Sequence, residues 1–276
     1  MIYHQYGSNV KRLLFAGAVA GMVMYFNACS SSKEIEIIPV EERFERGKAL
    51  FDKENYLEAI EEFKIITVQY QGSEYADDAQ FYIAESRYMR GEYILAASEY
   101  DNLIRTMPGS PFVSLARYKK AMSYYNLSPK YQLDQKYTRF ALDEFQTFVE
   151  YSPKDSMVSD AEAKIAEMTL KLAQKIYESG KLYYRVEYYK AAISYFDKVI
   201  SEYRDSKFVD QAMFWKAKCL AERKKYDDAL NVLTELTAKF PETTLQSDIR
   251  DLQKSIEDLR QEELDEKQSQ ASVKNE

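Results

Sequence analysis

One phrase recurs along this chain and restricts its fold more than any other feature. The phrase places an aromatic residue, an alanine and further apolar residues at helical spacing, and its two clearest copies are Tyr56-x-x-Ala59-Ile60-x-x-Phe63-x-x-Ile66 and Tyr189-x-x-Ala192-Ile193-x-x-Phe196-x-x-Val199. Weaker copies centre on Tyr100, Phe145 and Leu233. Five copies of one helical unit predict an all-α solenoid, a kind of fold that usually binds other proteins.

Turn-forming residues divide each copy into two helices. Asn55 and Gly91 lie where a first helix would end, and Ser152-Pro153 lies where a second helix would end. This layout is that of a tetratricopeptide repeat. We expect small residues to let the paired helices approach closely, namely Ala59, Ala96, Ala141, Ala192 and Ala229. We expect large residues to fill the space beside them, namely Phe63, Tyr100, Phe145, Phe196 and Leu233.

The spacing of the repeats is irregular. Their central large residues lie 37, 45, 51 and 37 residues apart, whereas a regular array would give about 34. The extra residues at 127–135 predict a loop in the third repeat. Those before the fourth repeat predict a linking helix at 157–172, with an apolar face formed by Val158, Ala161, Ile165, Met168 and Leu172. This helix would join two groups of repeats. Repeats 1–3 occupy 40–156, and repeats 4–5 occupy 173–262 together with a capping helix.

The capping helix carries Ile249, Leu252, Ile256 and Leu259 at alternating spacings of three and four. Such a stripe forms either a short coiled coil or a face that packs on the last repeat. Two heptads are short for a coiled coil, so we favour packing. Residues 263–276 are polar without periodicity and are predicted to be disordered.

The N-terminus has the pattern of a bacterial lipoprotein signal peptide at 1–28. Lys11 and Arg12 precede an apolar run over 13–26, and Ala28 lies directly before Cys29. Cleavage before Cys29 would make that cysteine the site of lipidation, with 29–39 as a polar tether. The alternative is a plain secretory signal peptide followed by an incidental cysteine.

Cysteine and histidine usage limits the chemistry of the chain. Cys29 and Cys219 are the two cysteines, so lipidation of the first leaves the second without a disulfide partner and most simply buried. The single histidine, His4, lies in the signal peptide. The mature chain would therefore lack a Ser/His/Asp triad, a Cys/His pair and a histidine-rich metal site. We predict no catalytic residues, no metal site and no cofactor.

Composition points to protein partners rather than nucleic acid. The formal net charge is −7 and no basic stripe is present, which argues against nucleic-acid binding. The chain contains 24 tyrosines, a residue type that suits both packing between helices and binding surfaces.

The order of these features resembles one family over residues 40–245. The resemblance rests on Tyr56-x-x-Ala59-Ile60 with Ser73-x-Tyr75, on 134–149 ending in Phe145-x-x-Phe148-Val149 before Ser152-Pro153, and on Ala161 through Leu172-Ala173 to Tyr177 and Tyr183-Tyr184. With the signal peptide, the loop and the linking helix, the chain is similar to the BamD family. These are tetratricopeptide-repeat lipoproteins of the outer-membrane β-barrel assembly complex.

The resemblance implies a non-catalytic scaffold anchored by lipid to the outer membrane and facing the periplasm. It would dock on the POTRA domains of a BamA-like barrel subunit and help to receive, fold and insert unfolded outer-membrane protein clients. For docking we single out tyrosines of the C-terminal repeats, namely Tyr183, Tyr184, Tyr188 and Tyr203. For client binding we single out a groove lined by Phe44, Phe51, Phe81 and Tyr88. The alternative for each of these four is packing between helices.

Two other classes of function compete with this reading. Another periplasmic repeat adaptor, such as a secretin pilotin or the repeat protein of the Tol–Pal system, would also be a solenoid. A pilotin should show regular spacing, and the Tol–Pal protein carries a coiled coil before its repeats and no lipobox. An enzyme, such as a peptidoglycan lytic enzyme, would need a separate catalytic domain, for which the repeats leave no room.

The signal pattern yields the first prediction. Replacing Cys29 with Ser removes the thiol that would carry the lipid, so the mature chain should leave the membrane fraction or remain an unprocessed precursor. Membrane fractionation and the mass of the N-terminal peptide measure this. Normal processing and membrane association of Cys29→Ser would contradict the prediction.

Overall fold

The computed structural model describes residues 38–273, with side chains to residue 270. The signal peptide, Cys29 and most of the tether therefore lie outside the described residues. Within them the chain forms helices and turns without strands, namely α1 Val40–Asp52, α2 Tyr56–Gln69, α3 Ala76–Met89, α4 Tyr93–Thr106, α5 Val113–Leu127, α6 Lys136–Tyr151, α7 Val158–Arg185, α8 Tyr189–Glu202, α9 Val209–Glu222, α10 Tyr226–Lys239 and α11 Gln246–Val273. None of these helices is long and apolar enough to span a bilayer.

A left-handed residue ends the first helix in four of the five repeats. These residues, each two positions before its second helix, are Glu54, Gly91, Glu187 and Lys224, with φ between 56° and 73°. The next amide bonds back to the helix, as in Asn55 N to Leu50 O at 2.9 Å, which is a Schellman ending. Only glycine adopts this conformation without a steric penalty. In three repeats the side chains of Glu54, Glu187 and Lys224 therefore bear that penalty, and the chain still reverses tightly.

The turn between repeats has the same geometry throughout the chain. In the first repeat the amide of Tyr70 bonds to the carbonyl of Ile66 at 2.9 Å, and that of Ser73 bonds to Tyr70 at 2.9 Å. The same pair of bonds recurs at Met107, Ser152, Tyr203 and Phe240. The irregular spacing therefore arises inside the third and fourth repeats, in the α5–α6 loop and in the length of α7.

A ring on the second helix lies directly against a glycine of the first helix in repeats one and four. A Cβ atom on Gly47 would lie 2.7 Å from Cε1 of Phe63, and one on Gly180 would lie 2.7 Å from Cε1 of Phe196. Alanine occupies this position elsewhere, at Ala84, Ala121 and Ala217, and all three are buried. A small residue is thus required where each helix pair crosses.

The predicted core residues of the second helices are fully buried, as expected from the repeat phrase. They comprise the five alanines Ala59, Ala96, Ala141, Ala192 and Ala229 and the five large residues Phe63, Tyr100, Phe145, Phe196 and Leu233. The buried side chains form clusters along the chain, most of them combining one repeat with the first helix of the next. This arrangement is the nearest-neighbour packing of a tetratricopeptide solenoid.

The predicted linking segment is part of one longer helix. We expected a helix at 157–172, and α7 continues without a break to Arg185. Its first half packs on repeat three, where Met168 joins the cluster of Phe145 and Phe148. Its second half is the first helix of repeat four, where Tyr177 lies 5.2 Å from the ring of Phe208. No proline lies between 158 and 185 to end the helix.

The C-terminal helix packs on the last repeat. Ile249 and Ile256 of α11 are fully buried in the same cluster as Leu236 of α10, as the preferred capping arrangement requires. The tail differs from the expected disorder over 263–273, where α11 remains helical to Val273, and residues 274–276 lie outside the described part of the chain. Contacts four residues apart support this end, including Lys267 Nζ to Glu263 Oε1 at 2.6 Å.

The helix crossing yields the second prediction. Gly180→Ala places a methyl group against the buried ring of Phe196, and overpacking of this kind costs about 1–3 kcal/mol. Alanine regains about 1 kcal/mol of helix propensity, so the net effect on the free energy of unfolding should be a loss. Urea unfolding of the full chain measures it. Gly109→Ala is the matched control, since nothing lies within 4 Å of its added Cβ. Equal stability of the two variants would contradict the close contact between Gly180 and the ring of Phe196.

Candidate protein-binding surfaces

Aromatic side chains gather around Tyr82 on the first two repeats. The ring of Tyr82 lies 5.2 Å from that of Phe51 and 6.1 Å from that of Phe44. Lys48 Nζ lies 4.2 Å from the centroid of the Tyr82 ring and 3.1 Å from its hydroxyl oxygen. All four side chains are partly exposed. We call Phe44, Lys48, Phe51 and Tyr82 the N-terminal aromatic surface.

Acidic residues border this surface. Phe44 also contacts Tyr75, with ring centroids 5.1 Å apart. Desolvation, followed by the nearby carboxylates of Glu74, Glu41 and Glu45, raises the pKa of Tyr75. The surface therefore combines aromatic rings with a negative rim, which suits ligands that carry both aromatic and basic groups.

Two of the four residues chosen for client binding lie elsewhere. Phe81 is 6% exposed and stacks on Phe112, with ring centroids 4.6 Å apart. Tyr88 is partly exposed and accepts a hydrogen bond from Asn126 Nδ2 at 2.8 Å. The expected common groove is therefore wrong in two respects. Phe81 faces the core of the second repeat, because adjacent residues on a helix point about 100° apart and Tyr82 takes the outer position. Tyr88 lies against α5 rather than beside Phe44 and Phe51.

A second aromatic group lies on the fourth and fifth repeats. The ring of Tyr184 lies 5.0 Å from that of Trp215 and 5.6 Å from that of Tyr189. Lys218 Nζ lies 4.8 Å from the Trp215 centroid. Burial, and next the charge of Glu222, raises the pKa of Tyr184 to about 12, so its hydroxyl remains a neutral donor at neutral pH.

The turn between α7 and α8 carries exposed apolar side chains. Tyr188 is 67% exposed, and Leu182 and Val186 are each about half exposed. Tyr183 lies beside them in sequence but stacks on Tyr195 at 5.0 Å. We call Leu182, Val186 and Tyr188 the C-terminal apolar patch. Leu182 and Val186 were not predicted from the sequence, although their spacing of four and their position outside the core stripe indicate an exposed apolar pair.

Tyr203 lies apart from the other tyrosines chosen for docking. It follows α8, whose 14 residues span about 20 Å, whereas Tyr188 precedes that helix. Tyr203 lines a cleft of about 420 Å³ together with Thr169 and Leu170 of α7. The four tyrosines therefore divide between two places rather than forming one face.

Cys219 is a buried core residue without a disulfide partner among the described residues. Burial, and next the charge of Glu222, raises the pKa of its thiol to about 12. The thiolate that a nucleophile or metal ligand needs is therefore disfavoured at neutral pH. No group of side chains in the described part of the chain is arranged to hold a metal ion.

Comparison with known families defines the class of protein to which this solenoid belongs. The model of the family YfiO, described as an outer membrane lipoprotein, matches residues 38–224. A tetratricopeptide-repeat model matches residues 211–243. The first match spans more than half of the chain, so the chain belongs to the YfiO outer-membrane lipoprotein family.

Individual relatives carry a more specific name. The chain is similar to "Outer membrane protein assembly factor BamD" of Rickettsia prowazekii (strain Madrid E), with 28% identity over 83% of this chain and 92% of the relative. It is also similar to the protein of the same name from Caulobacter vibrioides, with 28% identity over 74% and 67%. Among solved structures, the P58(IPK) TPR domain gives a TM-score of 0.40 at 17% identity, over 81% of this chain and 60% of that chain.

Proposed function

We propose that this chain is a lipid-anchored, non-catalytic scaffold that assists the assembly of outer-membrane proteins. The observation that carries the proposal is family membership together with two separate aromatic and apolar surfaces on one helical array. Solenoids of this kind present extended surfaces to other polypeptides. The relatives named as assembly factors support the same role.

The C-terminal apolar patch is proposed to dock on POTRA domains of a BamA-like barrel subunit. Tyrosine and tryptophan are among the residue types that dominate binding energy at protein interfaces, and the patch offers Tyr188 with Tyr184 and Trp215 nearby. Leu182 and Val186 add exposed apolar area. Tyr184, Trp215 and Lys218 lie close to this end of α7 and would rigidify it. Tyr183 would support the patch through its stacking on Tyr195.

The N-terminal aromatic surface is proposed to receive unfolded outer-membrane protein clients. Phe44, Phe51 and Tyr82 offer ring faces to aromatic side chains of an extended chain. Tyr88 would offer the client a separate ring beside Tyr93, whereas Phe81 would support Tyr82 from the core. Cys29 would carry the lipid, and the tether of 29–39 would span about 35 Å when fully extended.

The docking role yields the third prediction. Tyr188→Asp and Val186→Asp each place a charge in the C-terminal apolar patch without disturbing a buried side chain. Each should weaken binding to a purified POTRA fragment by about tenfold or more, as expected for residues at the centre of an interface. Isothermal titration with the full chain measures the dissociation constant.

Matched controls exist elsewhere on the surface. Tyr151→Asp and Val68→Asp change the same residue types at positions 66% and 70% exposed, outside the patch. They should bind the fragment as the wild type does. Equal weakening by patch and control variants would show that the patch is not the docking site.

The client role yields the fourth prediction. The double variant Phe44→Ala/Phe51→Ala removes two rings beside Tyr82 and should weaken binding of an aromatic C-terminal peptide from a barrel protein. Fluorescence anisotropy measures this, with binding of the POTRA fragment expected to stay unchanged. Phe140→Ala, a partly exposed ring of repeat three, is the control. Unchanged peptide affinity in a folded double variant would refute the client role of this surface.

A further inference from the structure

Carboxylates gather at one end of the N-terminal aromatic surface. Phe44 of α1 lies against Tyr75, with ring centroids 5.1 Å apart. Desolvation raises the pKa of Tyr75, and the charges of nearby carboxylates raise it further, namely those of Glu74, Glu41, Glu45 and Asp78. These four side chains therefore lie around the pair of rings, and we call them the acidic end of the surface.

The four carboxylates of the acidic end have no cationic partner in the described part of the chain, since none of them forms an ion pair within 4.0 Å. Asp78 is partly buried. Desolvation, and next the charge of Asp77, raises the pKa of Asp78. A carboxylate in such a position is stabilised by a nearby cation, which a basic ligand would supply.

The bases of α1 are engaged by other acids. Arg43 Nη1 lies 2.7 Å from Glu62 Oε2, and Arg46 Nε lies 3.2 Å from Glu62 Oε1. Lys48 Nζ lies 3.3 Å from Asp52 Oδ1. The basic side chains closest in sequence to the acidic end therefore leave its carboxylates without an internal ion pair.

The first repeat carries most of the negative charge of the chain. Residues 40–78 contain eleven acids and five bases, the bases being Arg43, Arg46, Lys48, Lys53 and Lys64. Their net charge is −6, whereas that of the whole chain is −7. The field around the surface is therefore negative although bases are present. An anionic bilayer or a second copy of this chain would be repelled, which leaves a basic polypeptide as the complementary ligand.

The positions of these acids explain why the fold tolerates them without cations. Glu41 lies in the first turn of α1 and Asp78 in the first turn of α3, where the helix dipole stabilises negative charge. Glu45 lies beyond the first turn and is exposed to solvent. Internal cations are thus not required for folding, and the carboxylates stay available to a ligand.

The distance from the acidic end to the rings suits a short extended segment. Glu41 and Phe44 are three residues apart on α1, which is about 4.5 Å along the helix, and Phe51 lies about 10.5 Å beyond Phe44. Alternate side chains of an extended chain point to the same side and lie about 6.6 Å apart. A basic side chain and an aromatic one two positions away could therefore reach the acidic end and the rings together.

We propose that the N-terminal aromatic surface selects extended client segments in which a basic residue lies two positions from an aromatic residue. The basic group would contact Glu41, Glu45 and Asp78, and the ring would lie against Phe44 and Tyr82. The inference rests on the client role proposed above and adds a charge requirement to it.

Paired peptides test the charge requirement. The basic probe has seven residues and blocked termini, and alternates serine with arginine, tyrosine and phenylalanine in that order; the neutral probe has glutamine in place of arginine. Both carry tetramethylrhodamine and are titrated with the full chain in non-ionic detergent at low salt, followed by fluorescence anisotropy. Wild type should bind the basic probe about fivefold more tightly, the upper range for one exposed ion pair. Added salt should reduce this preference.

An amide variant removes the carboxylates while keeping their shape. Glu41→Gln/Glu45→Gln/Asp78→Asn should bind the two probes equally, with the affinity for the neutral probe unchanged. Circular dichroism checks its fold. Glu45→Gln alone leaves the first turns of α1 and α3 intact, so a partial loss of the preference is expected from a variant of wild-type helicity.

The matched control is Glu150→Gln/Glu242→Gln/Asp258→Asn. It removes the same number of carboxylates of the same types at exposed positions outside the surface. Because exposed charges farther away than a Debye length are largely screened, the control should keep the preference of wild type for the basic probe.

Several results would overturn the inference. Equal binding of both probes by wild type, with both weakened in Phe44→Ala/Phe51→Ala, would remove the charge requirement and leave the client role intact. Absence of binding of either probe would remove both. A preference that persists in the amide variant would place the basic group elsewhere. Sedimentation equilibrium covers the remaining occupant: a dimer of wild type that is lost in Phe44→Ala/Phe51→Ala would make the surface an interface between copies.

Discussion

The array depends on how closely the two helices of each repeat can approach. A ring on the second helix presses on the first helix at a position that leaves no space for a larger side chain. Where the ring is Phe63 or Phe196, the facing residue is Gly47 or Gly180, and even a methyl group would lie 2.7 Å from a ring carbon. Because each repeat packs mainly on its neighbours, this local distance sets the geometry of the solenoid.

The long helix α7 makes the two groups of repeats one continuous structure. Met168 lies in the buried cluster of repeat three, and Tyr177 lies in that of repeats four and five. An unbroken helix holds these two clusters at a fixed distance from each other, because bending the helix would cost backbone hydrogen bonds. The additional turns of helix also line clefts with the loop at 128–132 and with the turn at 202–207.

The repeat phrase predicted most of the fold, because the spacing of buried residues along a helix is a local pattern in the sequence. Ala192 and Phe196 could be assigned to the core from sequence for that reason. The left-handed turns at Glu54 and Glu187 could not, since glutamate carries no signal for positive φ. Phe81 and Tyr82 are adjacent aromatic residues, and only the packing of α3 on its neighbours decides which of them faces outward. Exposure at the candidate surfaces is therefore a tertiary property.

Charge distinguishes the two candidate surfaces that the fold presents. The N-terminal aromatic surface has the carboxylates of Glu41, Glu45 and Glu74 nearby, whereas the C-terminal apolar patch consists of the uncharged side chains of Leu182, Val186 and Tyr188. Basic groups of a ligand that match the first surface find no such carboxylates within the patch, so partners of different chemistry can bind the same scaffold without competing.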